Sequence, residues 1–368
     1  MFKFIKIGLI FSFSASILYL NTACYSPTSM DQSIDVGAVD SLSYTSNTDA
    51  QIFEKETKFI SENQTKEKEI DENNLEEIVK YSSNFTIGDY IKFGRYLNQD
   101  ILWQVIAIEN GNPVLFSNKI LTLKAFSSSG DENNPCGPRA DTRRNNRGSN
   151  FWATSTLRHW LNSSSNEGNV FTDYPYNPPK DKYLREGHNP YEKEAGFLSE
   201  FTPDEKKLIQ PRTHKVLLAD IDVHDEVNFK GQESHTYQWG QPNEALQNYD
   251  NAYYHKVTDH VFLLSIKELY EYVLSNEIDH KLKPTIMAIE TSTIRPENLS
   301  SKSYWPYWLR TPSGSVSRRV RDIDAHGYVR DFDPFFSDRG IAPAISLVRE
   351  IAPLSGNGTK DFPFILTN

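Results

Sequence analysis

The densest cluster of chemistry-bearing side chains is "DIDAHGYVRDFD", Asp322 to Asp333. Asp322, Asp324, His326, Gly327 and Asp333 fall at positions 1, 3, 5, 6 and 12 of a calcium-binding loop, with apolar Val329 at position 8. Calcium takes oxygen ligands, so His326 is the wrong donor, and Asp333 is shorter than the bidentate glutamate that closes such loops. Both flanks also read as strands, where a calcium loop wants helices. "DAHG" is therefore expected to be a tight hairpin with Gly327 at a position of positive φ, and no metal is expected.

Other chemistries find less support. His214, His224 and His235 are ten and eleven residues apart, without the HExxH or CxxC spacing of a zinc site, and read as loop histidines. Cys136, in the polar "NPCGPR", has no clear base beside it and reads as a free thiol. Aspartate and glutamate are abundant, but no pair stands out as a hydrolytic acid and base. Aromatic residues are the remaining signal. Trp305, Tyr307 and Trp308 precede Arg310, while Tyr237, Trp239, Tyr253 and Tyr254 lie in a long polar section. Rings of this kind stack on sugars or clasp peptide side chains, with Arg, Asn and Asp supplying hydrogen bonds. The candidate ligand set is Trp239, Tyr253, Tyr254, Trp305 and Arg310. For "YWLRTP" the competing expectation is favoured: Trp308 and Leu309 in the core, with Arg310 ion-paired beneath them.

Positioning such groups needs a folded body, and its elements are legible. "DILWQVIAIE", the turn "NGN" and "PVLFSNKIL" predict a β-hairpin whose first strand is buried on both faces. Ser127 to Asn150 reads as a long exposed loop. In "TSTLRHWLNS", Thr154 or Ser155 caps a short helix that turns Leu157, Trp160 and Leu161 inward. Thr202, Pro203 and Glu205 form the start of another helix, with a capping box. "HKVLLADIDV" reads as a strand, "HVFLLSIKELYEYVL" as a strand entering a helix, and the tail block as closing strands. Helices and antiparallel strands mix without βαβ regularity, so the expected class is α+β: a mixed, mostly antiparallel sheet with short helices and long loops.

The 368 residues carry a formal net charge of −10, which gives nucleic-acid binding no electrostatic support. Much of that charge sits between Tyr25 and Lys80, where 13 acidic residues face 5 basic ones. Scattered hydrophobics there cannot sustain a core, so 24–80 reads as an acidic disordered spacer. Ahead of it, Lys3 and Lys6 precede an uncharged stretch from Ile7 to Leu20, too short to span a membrane and of the length of a signal-peptide core. The expected organisation is a signal peptide over 1–23, the spacer over 24–80, one α+β domain over 81–352 and a tail over 353–368.

Four resemblances add to this reading. "LNTAC" resembles a bacterial lipoprotein box, with Asn21 standing where the common pattern has leucine; it implies lipid on Cys24 and a membrane anchor in the cell envelope. The ordered blocks "ILWQVIAIENGNPVLFSNKIL", "STLRHWLN", "FTPDEKKLI", "VFLLS" and "YWLRTP…DAHGYV…RGIAPAISL" resemble domain-of-unknown-function family 6273, over about Tyr81 to Arg349. The tail block is also similar to the closing segment of C-type-lectin-like folds, which implies irregular loops that present a ligand surface. "GQPNEA", Gly240 to Ala245, is similar to the calcium–sugar motif of C-type lectins but lacks its partner "WND", so it assigns no metal. The related formylglycine-generating chemistry needs a cysteine pair that Cys136 alone does not supply. The role expected is non-catalytic binding of a carbohydrate, peptide or envelope partner, without cofactor. The alternative is a hydrolase acting on cell-envelope polymers.

Overall fold

The computed structural model describes residues 84–130, 142–172, 178–185, 189–222, 251–293, 299–313, 316 and 318–367. Cys24, the spacer, Cys136, His224, His235, Tyr237, Trp239 and "GQPNEA" lie outside the described residues.

The predicted hairpin is present. Gln99–Glu109 (β2) pairs antiparallel with Asn112–Ser117 (β3) around Asn110 and Gly111. Their φ values of 52° and 84° are what a two-residue turn requires of both central positions. Trp103, Val105, Ile106 and Ala107 are buried, so this strand packs on both faces. Tyr90–Tyr96 (β1) runs antiparallel to β2. Ala344–Ser346 (β12) lies beside β3, and Val261–Phe262 (β7) forms the far edge.

Phe364–Ile365 (β13) pairs parallel with β1 and completes this six-stranded sheet. Residues 353–367 are therefore part of the folded body, which corrects the expected tail. Their short apolar run reads as too little for a strand, yet β1 offers an open edge that must be paired or covered.

The "YWLRTP" block is Tyr307–Pro312 (β8), with all six residues buried. Val320–Ile323 (β9) and Val329–Phe332 (β10) follow antiparallel. The terminal "GIAPAISLV" run then divides between two sheets. Gly340–Ile341 (β11) lies parallel to β8 and antiparallel to Thr122–Leu123 (β4) in a five-stranded sheet, whereas β12 joins the first sheet. Pro343 sits between them, and proline cannot donate to a continuous ladder. Arg212–Leu217 (β5) and Tyr254–Asp259 (β6) make a separate hairpin. Only β13 and β11 pair in parallel among the named strands. The class is α+β with mostly antiparallel sheets.

The helices are short. Thr142–Arg147 (α1) lies within the segment read as an exposed loop, and Ser127, Ser128, Arg144, Ser149 and Asn150 are buried there, a second correction. The polar composition concealed this, because these groups are buried through hydrogen bonds rather than apolar contact. Thr156–Leu161 (α2) is capped by Ser155 and buries Leu157, Trp160 and Leu161. Pro203–Leu208 (α3) has the Thr202–Glu205 capping box. Ile266–Glu268 (α4) has a second capping box from Ser265 and continues as a π-helical turn over Leu269–Leu274. Ile286–Glu290 (α5) is capped by Thr285. One hydrophobic cluster draws Trp103, Trp152, Trp160 and Trp308 together with apolar side chains of both larger sheets.

Candidate functional site

Arg310 projects from β8 into a buried charged cluster. Its Nη1 lies 2.5 Å from Glu268 Oε2, and Arg212 Nη1 lies 3.1 Å from Glu268 Oε1. His214 Nδ1 is 3.6 Å from the same carboxylate, and its ring packs tilted against Phe262 at 4.4 Å, over which both guanidinium groups also sit. Burial alone would raise the Glu268 carboxyl, but Arg310, the neighbouring His214 ring and Arg212 hold it well below the usual carboxylate range. Burial and Arg310 push the His214 imidazole down, which keeps it neutral at pH 7. Glu268 also caps α4 through the Ser265 N–H at 2.8 Å. Every group here holds another in place, as a packed ionic core does.

Trp239 lies outside the described residues, and the other four predicted ligand residues do not form a ring-lined surface among the described residues. Trp308 and Leu309 are fully buried, and Arg310 is 3% exposed above Glu268, as the packing expectation had it. Trp305 packs against the core and donates from Nε1 to the Asp338 carbonyl at 2.7 Å. Tyr253 is buried with Leu218 against Phe151. Tyr254 is half-buried, with Lys215 Nζ 5.7 Å from its ring. Tyr254 and Arg310 do line one cleft, with Lys215 and Lys267, but at about 60 Å³ it holds little beyond a water or two.

The acidic turn is the expected hairpin. Gly327 has φ +90° and donates to the Asp324 carbonyl, while the Asp324 carboxylate accepts from the His326 and Tyr328 N–H groups. The other acids point to arginines: Asp322 to Arg339 at 2.8 Å and Asp333 to Arg147 at 2.6 Å. Burial, against the pull of Arg339, pushes Asp322 up to about 6. No group of three or more potential metal ligands occurs among the described residues.

A larger site lies elsewhere, between α1 and Val316, Arg318 and Arg319. It is a cleft of about 540 Å³ lined by Arg143, Arg147, Arg318 and Arg319, with Thr142 and Asn146. Its helix is set by charge pairing within the protein. Arg144 is fully buried, gripping Asp222 with both Nη atoms at 2.7 and 2.6 Å and reaching Asn150 at 2.6 Å. That anchors one face, so Arg143 and Arg147, four residues apart on the other, turn outward together. Gly148 ends the helix with φ +84°, and a Cβ there would stand 2.5 Å from the Ser127 carbonyl. Asn150 Nδ2 then ties the second wall down by donating to the Ser313, Val316 and Arg319 carbonyls.

The cleft's electrostatics are unbalanced. Arg147 is committed to Asp333, and Arg319 Nη1 donates to Asp331 at 2.9 Å. Asp333 Oδ1 lies 3.6 Å from Nε of both Arg318 and Arg319, too far for hydrogen bonding, and accepts no hydrogen bond. Among the described residues Arg143 meets no acidic partner and Arg318 makes no hydrogen bond. Among the described residues four guanidinium groups face two carboxylates, a surplus of two positive charges on an open surface. None of these arginines was a sequence-derived candidate. The usable signal was the paired arginines in "DTRRNNRG" and "SVSRRVRD", small polar neighbours around charges too dense to be paired locally.

A family model described as Domain of unknown function (DUF6273) matches residues 110–348, and the chain belongs to that family. No curated protein matches the chain. No solved structure matches it either.

Proposed function

We propose that the chain is an exported, lipid-anchored protein of the cell envelope whose domain binds an anionic ligand without transforming it. The arginine cleft carries this reading: an open site with uncompensated positive charge on a buttressed frame recruits oxyanions, and neither of its two acids stands clear of an arginine to act on a bond. Guanidinium groups bind carboxylate, sulfate and phosphate through paired N–H donors, whereas Thr142 and Asn146 can bond the hydroxyls of a sugar. An acidic envelope carbohydrate is the ligand that fits this lining. Short strands joined by long irregular segments support the C-type-lectin-like reading of its ligand surface. Lipid on Cys24 and the acidic spacer would hold the domain off the membrane, where the spacer's own charge discourages self-occupation by neighbouring membrane anions.

The test is retention of a panel of acidic and neutral glycans by the detergent-solubilised full chain. Acidic glycans should be retained at low salt, released as salt rises, and recovered at their original length. Retention of neutral dextran instead, or shortening of any bound glycan, would contradict the reading.

A further inference from the structure

We infer that the arginine cleft is a phosphate-ester site, an inference that rests on the anionic-ligand reading above. Three features of the lining lead there. The first is charge: among the described residues Arg143, Arg147, Arg318 and Arg319 against Asp331 and Asp333 leave a surplus of two, and a phosphate monoester carries about −1.5 to −2 at pH 7. A uronic acid or a sulfate ester brings only one. Behind Asp331, Arg321 Nη1 at 3.9 Å adds further positive charge from within the fold.

The second feature is direction. Arg143 stands on the helix wall and Arg318 on the opposite wall with Val316 and Arg319, and neither spends its guanidinium donors on a hydrogen bond among the described residues. A carboxylate has two oxygens in one plane, which one guanidinium fork satisfies. A phosphate ester presents three oxygens in three directions and can accept from two forks that come from separate walls. Third, Asp333 already shows how an anion sits here. Its carboxylate is 6% exposed, draws Arg147, Arg318 and Arg319 toward it, and leaves Oδ1 without a hydrogen bond. The internal acid gathers the guanidinium groups while leaving donors of Arg318 uncommitted for an external oxyanion.

The phosphate can be borne by a sugar or by a lipid headgroup, and the two are separable. The experiment measures binding of glucose 6-phosphate, glucose 6-sulfate and glucuronate to the full chain by calorimetry. A parallel arm compares vesicles of phosphatidylcholine with and without phosphatidate. Glucose 6-phosphate is expected to bind at least about tenfold tighter than the other two sugars, because it alone matches two charges and two forks. A gain in vesicle binding with phosphatidate assigns the ester to a headgroup, and binding of the sugar phosphate without that gain assigns it to a glycan.

In the Arg143→Gln/Arg318→Gln double variant the phosphate preference should vanish while thermal unfolding stays near wild type, since neither side chain holds the fold through a hydrogen bond. The Arg143→Lys/Arg318→Lys variant keeps the charge and should still lose about tenfold, because ammonium groups lack the fork. Equal binding of glucuronate, or of the sulfate, would overturn the phosphate inference and leave the anionic reading standing. Binding of none of the sugars and no gain from phosphatidate would overturn both. Undiminished affinity in the lysine variant would overturn the fork geometry.

Discussion

Truncating Glu268 to alanine is expected to destabilise the domain by about 3–5 kcal/mol, because it strands buried Arg310 without its counter-ion and leaves Arg212 to Glu109 alone. Arg310 is 3% exposed, so bulk solvent does not take the place of the carboxylate. The reciprocal half of the α4 capping box goes with it, since the same carboxylate accepts from the Ser265 N–H, while the Ser265 hydroxyl still accepts from the backbone N–H of residue 268. Denaturant midpoints at constant m-value would read the loss. The pH dependence carries its own sign. Glu268 is depressed in the folded protein, so its contribution is present above the ordinary carboxylate value and disappears as pH falls through the lower, folded one. His214 is depressed too, and its neutral form is the one the fold accommodates, so its contribution fades on acidification from about 6.5 downward. The Glu268→Gln variant should therefore show a flatter acid limb than wild type. An alanine variant as stable as wild type would remove this cluster from the account of the core.

Trp308→Ala should cost about as much, roughly 3–5 kcal/mol, by a different route. The indole is fully buried at the centre of β8, 6.0 Å from the Phe126 ring, and Nε1 donates to the Lys124 carbonyl at 2.9 Å. Truncation leaves a cavity that neighbouring strands cannot collapse into, together with an unpaired buried carbonyl. Trp308→Phe keeps most of the volume and should lose less, about 1–3 kcal/mol, mainly through that carbonyl. Chemical denaturation of the three proteins would separate the cavity from the hydrogen bond. Equal stability of all three would contradict the packing role of the "YWLRTP" block.

Much of the architecture was legible where local chemistry and burial agree. The Asn110–Gly111 turn, the Ser155 and Thr202 caps and the Gly327 hairpin each rest on a residue type with one preferred use, and each is found where expected. The lining of the arginine cleft was not legible. Arg143 and Arg318 are 175 positions apart, and no spacing rule relates them. Nor does composition distinguish Arg144, fully buried on Asp222, from Arg143 beside it, exposed in the cleft. That difference is set by the helix phase and by an aspartate 78 residues away. Two of the aromatic candidates, Trp305 and Tyr253, were hard to tell from core residues for a related reason. Tyrosine and tryptophan serve cores and binding surfaces alike, and Trp305 and Tyr253 belong to the first kind.

The central claim is that binding runs through the arginine cleft rather than the aromatic residues, and one comparison tests it directly. The affinity of an acidic glycan for the full chain would be measured beside two variants, Arg143→Gln/Arg318→Gln and Tyr254→Ala. The account predicts a loss of at least about tenfold in the arginine variant, with a shallower salt dependence, and an unchanged affinity in the tyrosine variant. Loss in Tyr254→Ala with full binding retained by the arginine variant would contradict it.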